Sequence, residues 1–216
     1  MSLCLHTDSY RISPWVLTAW VALREKQLDF TLKDIALEKG EQRQAEYLAR
    51  SVLGKVPVLE HAEFWLSESL AITEYLAETF PFPAHPRLFP ADLRDRGRCR
   101  QVMMWLRTDL LALRRERPTT TLFYAAARAA CLPLSGEALA AAKELVRTAG
   151  QLVQPGRETL FDAWCIADGD LALMLQRLLK NDYPLPESLQ SYAAAQWARP
   201  AVREFLDLPR PAAPPP

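Results

Sequence analysis

The sequence predicts an α+β protein built in two parts, a small α/β sandwich with a mixed sheet followed by an all-helical bundle. Three observations predict it. Up to about residue 80, short strand-like runs alternate with amphipathic stretches. A segment with four prolines, PFPAHPRLFPADL at 81–93, then interrupts every regular pattern. Beyond it, apolar residues recur at helical spacing alone.

In the first part, Leu3–His6 reads as a strand, and Val16, Ala19, Trp20 and Leu23 follow Ser13-Pro14 at helical spacing. Phe30–Leu37 is strand-like through Phe30, Leu32 and Ile35, while Lys39–Leu48 is polar with weak helical character. Val56–Leu59 and Phe64–Leu66 have hairpin spacing, and Ile72, Leu76 and Phe80 mark a helix over Leu70–Phe80. The order over 1–80 is thus β-α-β-α-β-β-α, with 81–93 as a linker. Three apolar stripes define the bundle over 94–208: Val102 to Leu113, Ala142 to Leu152, and Leu171 to Leu178. Glu187–Leu206 adds one or two short helices interrupted at Pro200, and PRPAAPPP at 209–216 reads as a disordered tail.

Composition narrows the partners. Lys plus Arg and Asp plus Glu both number 26, so no basic excess points to nucleic acid and no acidic tail to a basic partner. Four scattered cysteines without a C-x-x-C pair, beside three histidines, predict neither a disulfide framework nor a metal site. A reducing, cytoplasmic setting fits them best. Arg11 before the apolar run ISPWVLTAWVAL has the order of a secretory leader. Pro14 near its start and Arg24-Glu25-Lys26 at its end make it a buried helix instead, too short to span a bilayer.

Three short stretches carry candidate chemistry. In GKVPVLEHAEFWLSES, residues 54–69, Pro57 lies inside an apolar run although it gives no N–H to a ladder; a strand start would tolerate it. The same stretch ends in Ser67-Glu68-Ser69 before an apolar helix, where Ser69 has the position of an N-cap or first-turn residue. At the first helix, Ser13 has the position of an N-cap, with Val16 rather than Glu or Gln at N3, so no capping box forms. Its hydroxyl would be available to another acceptor.

Together with SPWVLTAWVALREK, LSESLAITEYL and WCIADGDLALM, this order of elements resembles the thioredoxin fold with an added helical domain, as in the cytosolic glutathione transferases and their bacterial YfcF-like subgroup. The resemblance covers essentially the whole chain. It implies a cis Val56-Pro57 bond that turns the Val56 backbone toward the cysteinyl residue of glutathione. Ser69 and the helix-start N–H groups would bind the γ-glutamyl carboxylate, and Glu68 its ammonium group. Lys55, Lys39 and Arg43, in that order, are candidates for the glycyl carboxylate.

Ser13, with Tyr10 as second candidate, would hold the glutathione thiolate. A free thiol of pKa about 8.5 is only a few per cent ionised at neutral pH, and each unit of depression takes about 1.4 kcal/mol. One charge-assisted hydrogen bond and a helix N-terminus supply roughly 2–4 kcal/mol. The thiolate would then attack an electrophilic carbon, a peroxide or a mixed disulfide near Trp105–Tyr124, where Arg107, Arg114, Arg115 and Arg117 would favour an anionic co-substrate or else serve the helix-end dipole.

The resemblance also implies a homodimer. Asp168 would cap the helix of the third stripe, with Cys165 where the family has Ser or Thr. A glutathione-dependent isomerase, or a binding protein on the same fold like the stringent starvation proteins, are the alternatives.

Overall fold

The computed structural model describes residues 2–214, in two compact units. The first comprises residues 2–88 and Glu204–Ala212, the second Phe89–Arg203 and residues 213–214.

Strands β1 (Leu3–Asp8), β2 (Thr31–Ile35), β3 (Val58–His61) and β4 (Phe64–Ser67) form one mixed sheet in the order β2-β1-β3-β4. β1 and β2 are parallel, with Asp8 opposite Ile35, while β1–β3 and β3–β4 are antiparallel. Because side chains alternate across the pleat, Leu3 and Leu5 of β1 point to the face opposite that of Cys4, His6 and Asp8. Helices α1 (Pro14–Glu25) and α3 (Ser69–Thr79) pack on each other and on β1 and β3. The polar stretch expected to be weakly helical is two 3-10 turns at Leu37–Lys39 and Glu41–Arg43, then a single turn, α2 (Ala45–Leu48). Tyr47 of α2 joins Ile35 and Val58 in a small cluster, with Leu37, Val56 and Trp65 packed against it.

The proline-rich segment has no helix or strand over 81–92, and its first residues are tied to the first unit. Lys26, nearly fully buried at the end of α1, donates from Nζ to the Phe80 carbonyl at 2.7 Å, and its own carbonyl pairs with Nδ1 of His85 at 2.9 Å. Of the expected tail, residues 209–214 are described. Arg210 donates to the carbonyls of Phe205, Leu206 and Leu208, which satisfies groups left over at a helix end. Pro215 and Pro216 lie outside the described residues.

The second unit contains α4 (Leu93–Thr108), α5 (Leu111–Glu116), α6 (Thr120–Phe123), α7 (Ala125–Ala129), α8 (Gly136–Leu152), α9 (Ile166–Leu179) and α10 (Glu187–Trp197); α11 (Pro200–Leu206) runs on into residues of the first. The stripe from Val102 to Leu113 is split between α4 and α5. Thr108 Oγ1 donates back to the Met104 carbonyl and to Asp109 Oδ1, local bonds that compete with helix continuation. α9 is buried nearly all round, from Leu171 through Leu178, which makes it the centre of the bundle. Its Asp168 accepts from the backbone N–H of Cys165 and Leu160 and from the Tyr192 hydroxyl. Burial nonetheless pushes the Asp168 carboxyl up from its ordinary value. Among the described residues no helix is long and apolar enough to cross a membrane.

Candidate active site

One row of the sheet locates the site. His6 of β1 lies opposite Val58 of β3, and Val58 lies opposite Ser67 of β4. The antiparallel pairings therefore put the end of β1, the start of β3 and the end of β4 at one end of the sheet. From that end leave the turn to Ser13, the Lys55-Val56-Pro57 approach to β3, and the Glu68-Ser69 start of α3. β2 ends there too, so Lys39 follows from the same end, on an exposed 3-10 turn. Ser13, Lys55, Val56, Pro57, Glu68 and Ser69 are thus gathered by topology, although 56 residues separate the first from the last.

Ser13 is the N-cap of α1. Its Oγ accepts a long bond, 3.4 Å, from the Val16 N–H. Capping uses an oxygen lone pair and leaves the hydroxyl proton to be donated elsewhere, so the cap and a thiolate contact are compatible. The turn before it is fixed by a residue the sequence did not single out. Asp8, 5% exposed, accepts from the N–H of Ile12 at 3.0 Å and of Ser13 at 2.9 Å. Arg11 takes a positive φ of 53° inside that turn. Its guanidinium grips Asp34 with two bonds, at 3.1 and 2.9 Å, and donates to the Pro209 carbonyl at 3.0 Å. The ion pair raises the Arg11 pKa, with the Asp34 hydrogen bond as main cause.

The Val56–Pro57 peptide is cis, as is Phe82–Pro83. Val56 is half-buried and stands just outside the ladder, which begins at Val58. Tyr47, also unmarked by the sequence, donates to the Lys55 carbonyl at 3.1 Å and so holds the strand approach; burial pushes its phenol up to about 12. The Lys55 side chain is exposed.

Glu68 precedes α3 with φ 72° and ψ 115°, a backbone region that L residues rarely adopt. Its side chain is exposed, and it makes no side-chain cap. Ser69 is the first residue of the helix rather than its N-cap, and is 3% exposed. A strained acidic residue beside a helix N-terminus suits a ligand that carries both signs of charge, because the two features address opposite ends of it.

In the second unit three of the four arginines expected to favour an anion have other partners. Arg107 pairs with buried Asp170 at 2.6 Å, Arg114 donates to the Arg107 carbonyl, and Arg117 to the carbonyls of Glu116 and Leu132. Arg115 is exposed. A groove of about 740 Å³ in this unit, lined among others by Arg98, Trp105, Glu144 and Arg147, contains none of the residues expected to meet glutathione.

A thioredoxin-like unit followed in sequence by a helical unit defines the class of protein. The family pattern described as "Glutathione S-transferase, C-terminal domain" matches residues 92–210, and "Glutathione S-transferase, N-terminal domain" matches 12–79. The chain belongs to the glutathione S-transferase family. Among curated relatives, glutathione S-transferase F10 of Arabidopsis thaliana is 42% identical over 88 residues, 41% of this chain and 39% of that protein. Glutathione S-transferase 1 of Dianthus caryophyllus is likewise 42% identical, over 89 residues. The match thus spans about two-fifths of either relative. Among solved structures, a glutathione transferase homologue from the Burkholderia strain BGR1, crystallised with bound glutathione, is 33% identical, covers 95% of this chain and 96% of its own, and has a TM-score of 0.77. Poplar glutathione transferase F1, at 19% identity, TM-score 0.74 and coverage of 96% and 98%, shares the fold.

Proposed function

We propose that the chain is a glutathione transferase of the YfcF-like kind, acting in the cytoplasm as a homodimer. The observation that carries this reading is the convergence of Ser13, Val56, Glu68 and Ser69 on one end of the sheet, in a chain 33% identical over nearly its full length to a homologue solved with glutathione.

In this reading the γ-glutamyl carboxylate lies on the N–H groups at the start of α3 and on the Ser69 hydroxyl, and its ammonium group on Glu68. The backbone of Val56 pairs with the cysteinyl residue, and Lys55, or Lys39 from the same end of the sheet, faces the glycyl carboxylate. Ser13 donates its hydroxyl hydrogen to the sulfur. The thiol proton leaves to solvent, and the thiolate, stabilised by that bond and by the start of α1, attacks the electrophile while the leaving group departs with the bond's electrons. Ser13 itself forms no covalent bond. Two supports position it: Asp8 fixes the backbone before it, and Arg11 fixes the turn.

Calorimetric titration tests the reading directly. Glutathione should bind saturably below millimolar concentration, and the bound thiol should show thiolate ultraviolet absorbance at neutral pH. No saturable binding at millimolar glutathione would overturn it. For the homodimer, light scattering should give about twice the chain mass of 24.5 kDa.

A further inference from the structure

We propose that Cys4, His6 and Glu60 form a binding site for one thiophilic divalent cation of the zinc type. The inference does not depend on glutathione binding. Nothing in the linear sequence suggests the site, because two of its residues stand on β1 and the third 54 positions after His6 on β3.

The sheet register makes the group. Cys4 lies directly opposite Glu60 in the β1–β3 ladder, and His6, two residues on, shares the face of Cys4. One ligand atom from each of the three falls within 4.8 Å of the others, and among the described residues no other trio of His, Cys, Asp or Glu comes as close. His6 Nε2 already stands 3.1 Å from Glu60 Oε2. Bonds of about 2.0–2.3 Å at tetrahedral angles put ligand atoms about 3.3–3.8 Å apart, so closing on a cation takes a shift of about 1 Å. Cys4 and Glu60 are only partly buried, which lets them make that shift and gives the ion a way in. His6, fully buried between Tyr47 and Trp65, supplies the rigid point.

Ligand chemistry selects the ion. Thiolate, imidazole and carboxylate together suit zinc and its borderline neighbours, whereas calcium and magnesium take oxygen donors. Three protein ligands leave the fourth tetrahedral position to water. A His6–Glu60 hydrogen bond alone would account for two of the residues and leave the sulfur without a part.

Two features work against affinity. Lys33, opposite His6 on β2, brings a positive charge near, although its side chain is exposed and the thiolate and carboxylate supply two negative ones. Binding also releases the Cys4 proton to solvent and leaves the imidazole proton on Nδ1, a buried atom without a hydrogen-bond partner.

The test uses untagged, chelator-stripped full-length protein in thiol-free buffer, titrated with Co²⁺. One equivalent should produce a near-ultraviolet thiolate-to-cobalt charge-transfer band together with visible bands of tetrahedral intensity, and Zn²⁺ should displace both. Cys4→Ser should abolish the charge-transfer band, whereas Cys131→Ser should leave it. Glu60→Gln should weaken Co²⁺ by more than the roughly tenfold that even an outer-shell partner contributes. Circular dichroism of each variant separates lost ligands from lost fold. No saturable band, a band that survives Cys4→Ser in folded protein, or one removed by Cys131→Ser would overturn the site.

Discussion

Arg210, 199 positions after Arg11, donates from Nε to the Arg11 carbonyl at 3.2 Å, and the Arg11 guanidinium donates in turn to the carbonyl of Pro209, the neighbour of Arg210. The turn that carries Ser13 is therefore held from outside by the C-terminal segment as well as from inside by Asp8. Arg210→Ala removes donors from four carbonyls, those of Arg11, Phe205, Leu206 and Leu208. The expected loss in urea-unfolding free energy is about 1–3 kcal/mol. Arg210→Lys should recover only part of it, because a point-like ammonium cannot reproduce the planar fork. Equal stability of Arg210→Ala and the unchanged protein would show that the segment is not anchored.

A second expectation concerns the backbone of Glu68. A non-glycine residue at φ 72° costs about 1–3 kcal/mol, and such cost persists where the position serves a purpose other than stability. Glu68→Gly should leave stability unchanged or raise it by up to about 2 kcal/mol, relief of strain being partly offset by the freer unfolded chain. Glutathione affinity should nevertheless fall about tenfold or more. Glu68→Gln and Ser69→Ala should each weaken binding by about 1–3 kcal/mol with little change in melting. Calorimetry beside thermal melts distinguishes the outcomes: variants that lose stability and keep affinity would reduce both residues to helix-start structure.

Tyr47 gives a pH dependence whose sign is fixed. Burial holds its phenol at about 12, above the ordinary value of 10.0, so the folded state favours the protonated form more than the unfolded chain does. The corresponding stability is complete below about pH 10 and is lost as pH rises from there through about 12. Tyr47→Phe should flatten this alkaline limb in urea titrations run at successive pH values. At neutral pH it should cost about 1 kcal/mol for the lost bond to the Lys55 carbonyl, and raise the KM for glutathione as the approach to Val56 loosens. An alkaline limb unchanged in Tyr47→Phe would assign it to other tyrosines.

What the sequence made legible follows from range. Strands β1 to β4 and helix α1 declare themselves through period and through Ser13-Pro14, all local signals. α6 and α7 have four and five residues, too few for a stripe to repeat, so no local pattern marks them, and α5 merges with the stripe of α4. Asp8 resembles any turn aspartate until the N–H groups of Ile12 and Ser13 close on it. Arg210 stands in a proline-rich tail whose composition suggests no anchor. Cys4 and Glu60 become neighbours only through strand register, which no local pattern reports. Candidates such as Ser69 were legible because a helix start is a local event, whereas their supports are contacts between distant segments.

Ser13→Ala separates chemistry from capping. The cap it provides is long, 3.4 Å to the Val16 N–H, and α1 is anchored besides by Asp8 and by Pro14 at its first position. Loss of the cap should therefore cost about 1 kcal/mol or less. The larger effect is expected on the bound thiol. Without the donated hydrogen bond, its pKa should rise by about one unit, equivalent to about 1.4 kcal/mol, as read by thiolate absorbance. The turnover number should then fall at neutral pH and recover as pH rises, since hydroxide restores the ionised form that the hydroxyl no longer favours. Glutathione affinity at high pH should change little, because Val56, Glu68 and Ser69 remain. An unmoved thiol pKa with a small loss of stability would leave Ser13 as a cap alone. An unmoved pKa accompanied by a large loss of turnover in Tyr10→Phe would pass the donor role to Tyr10, the residue before Arg11 in the same turn.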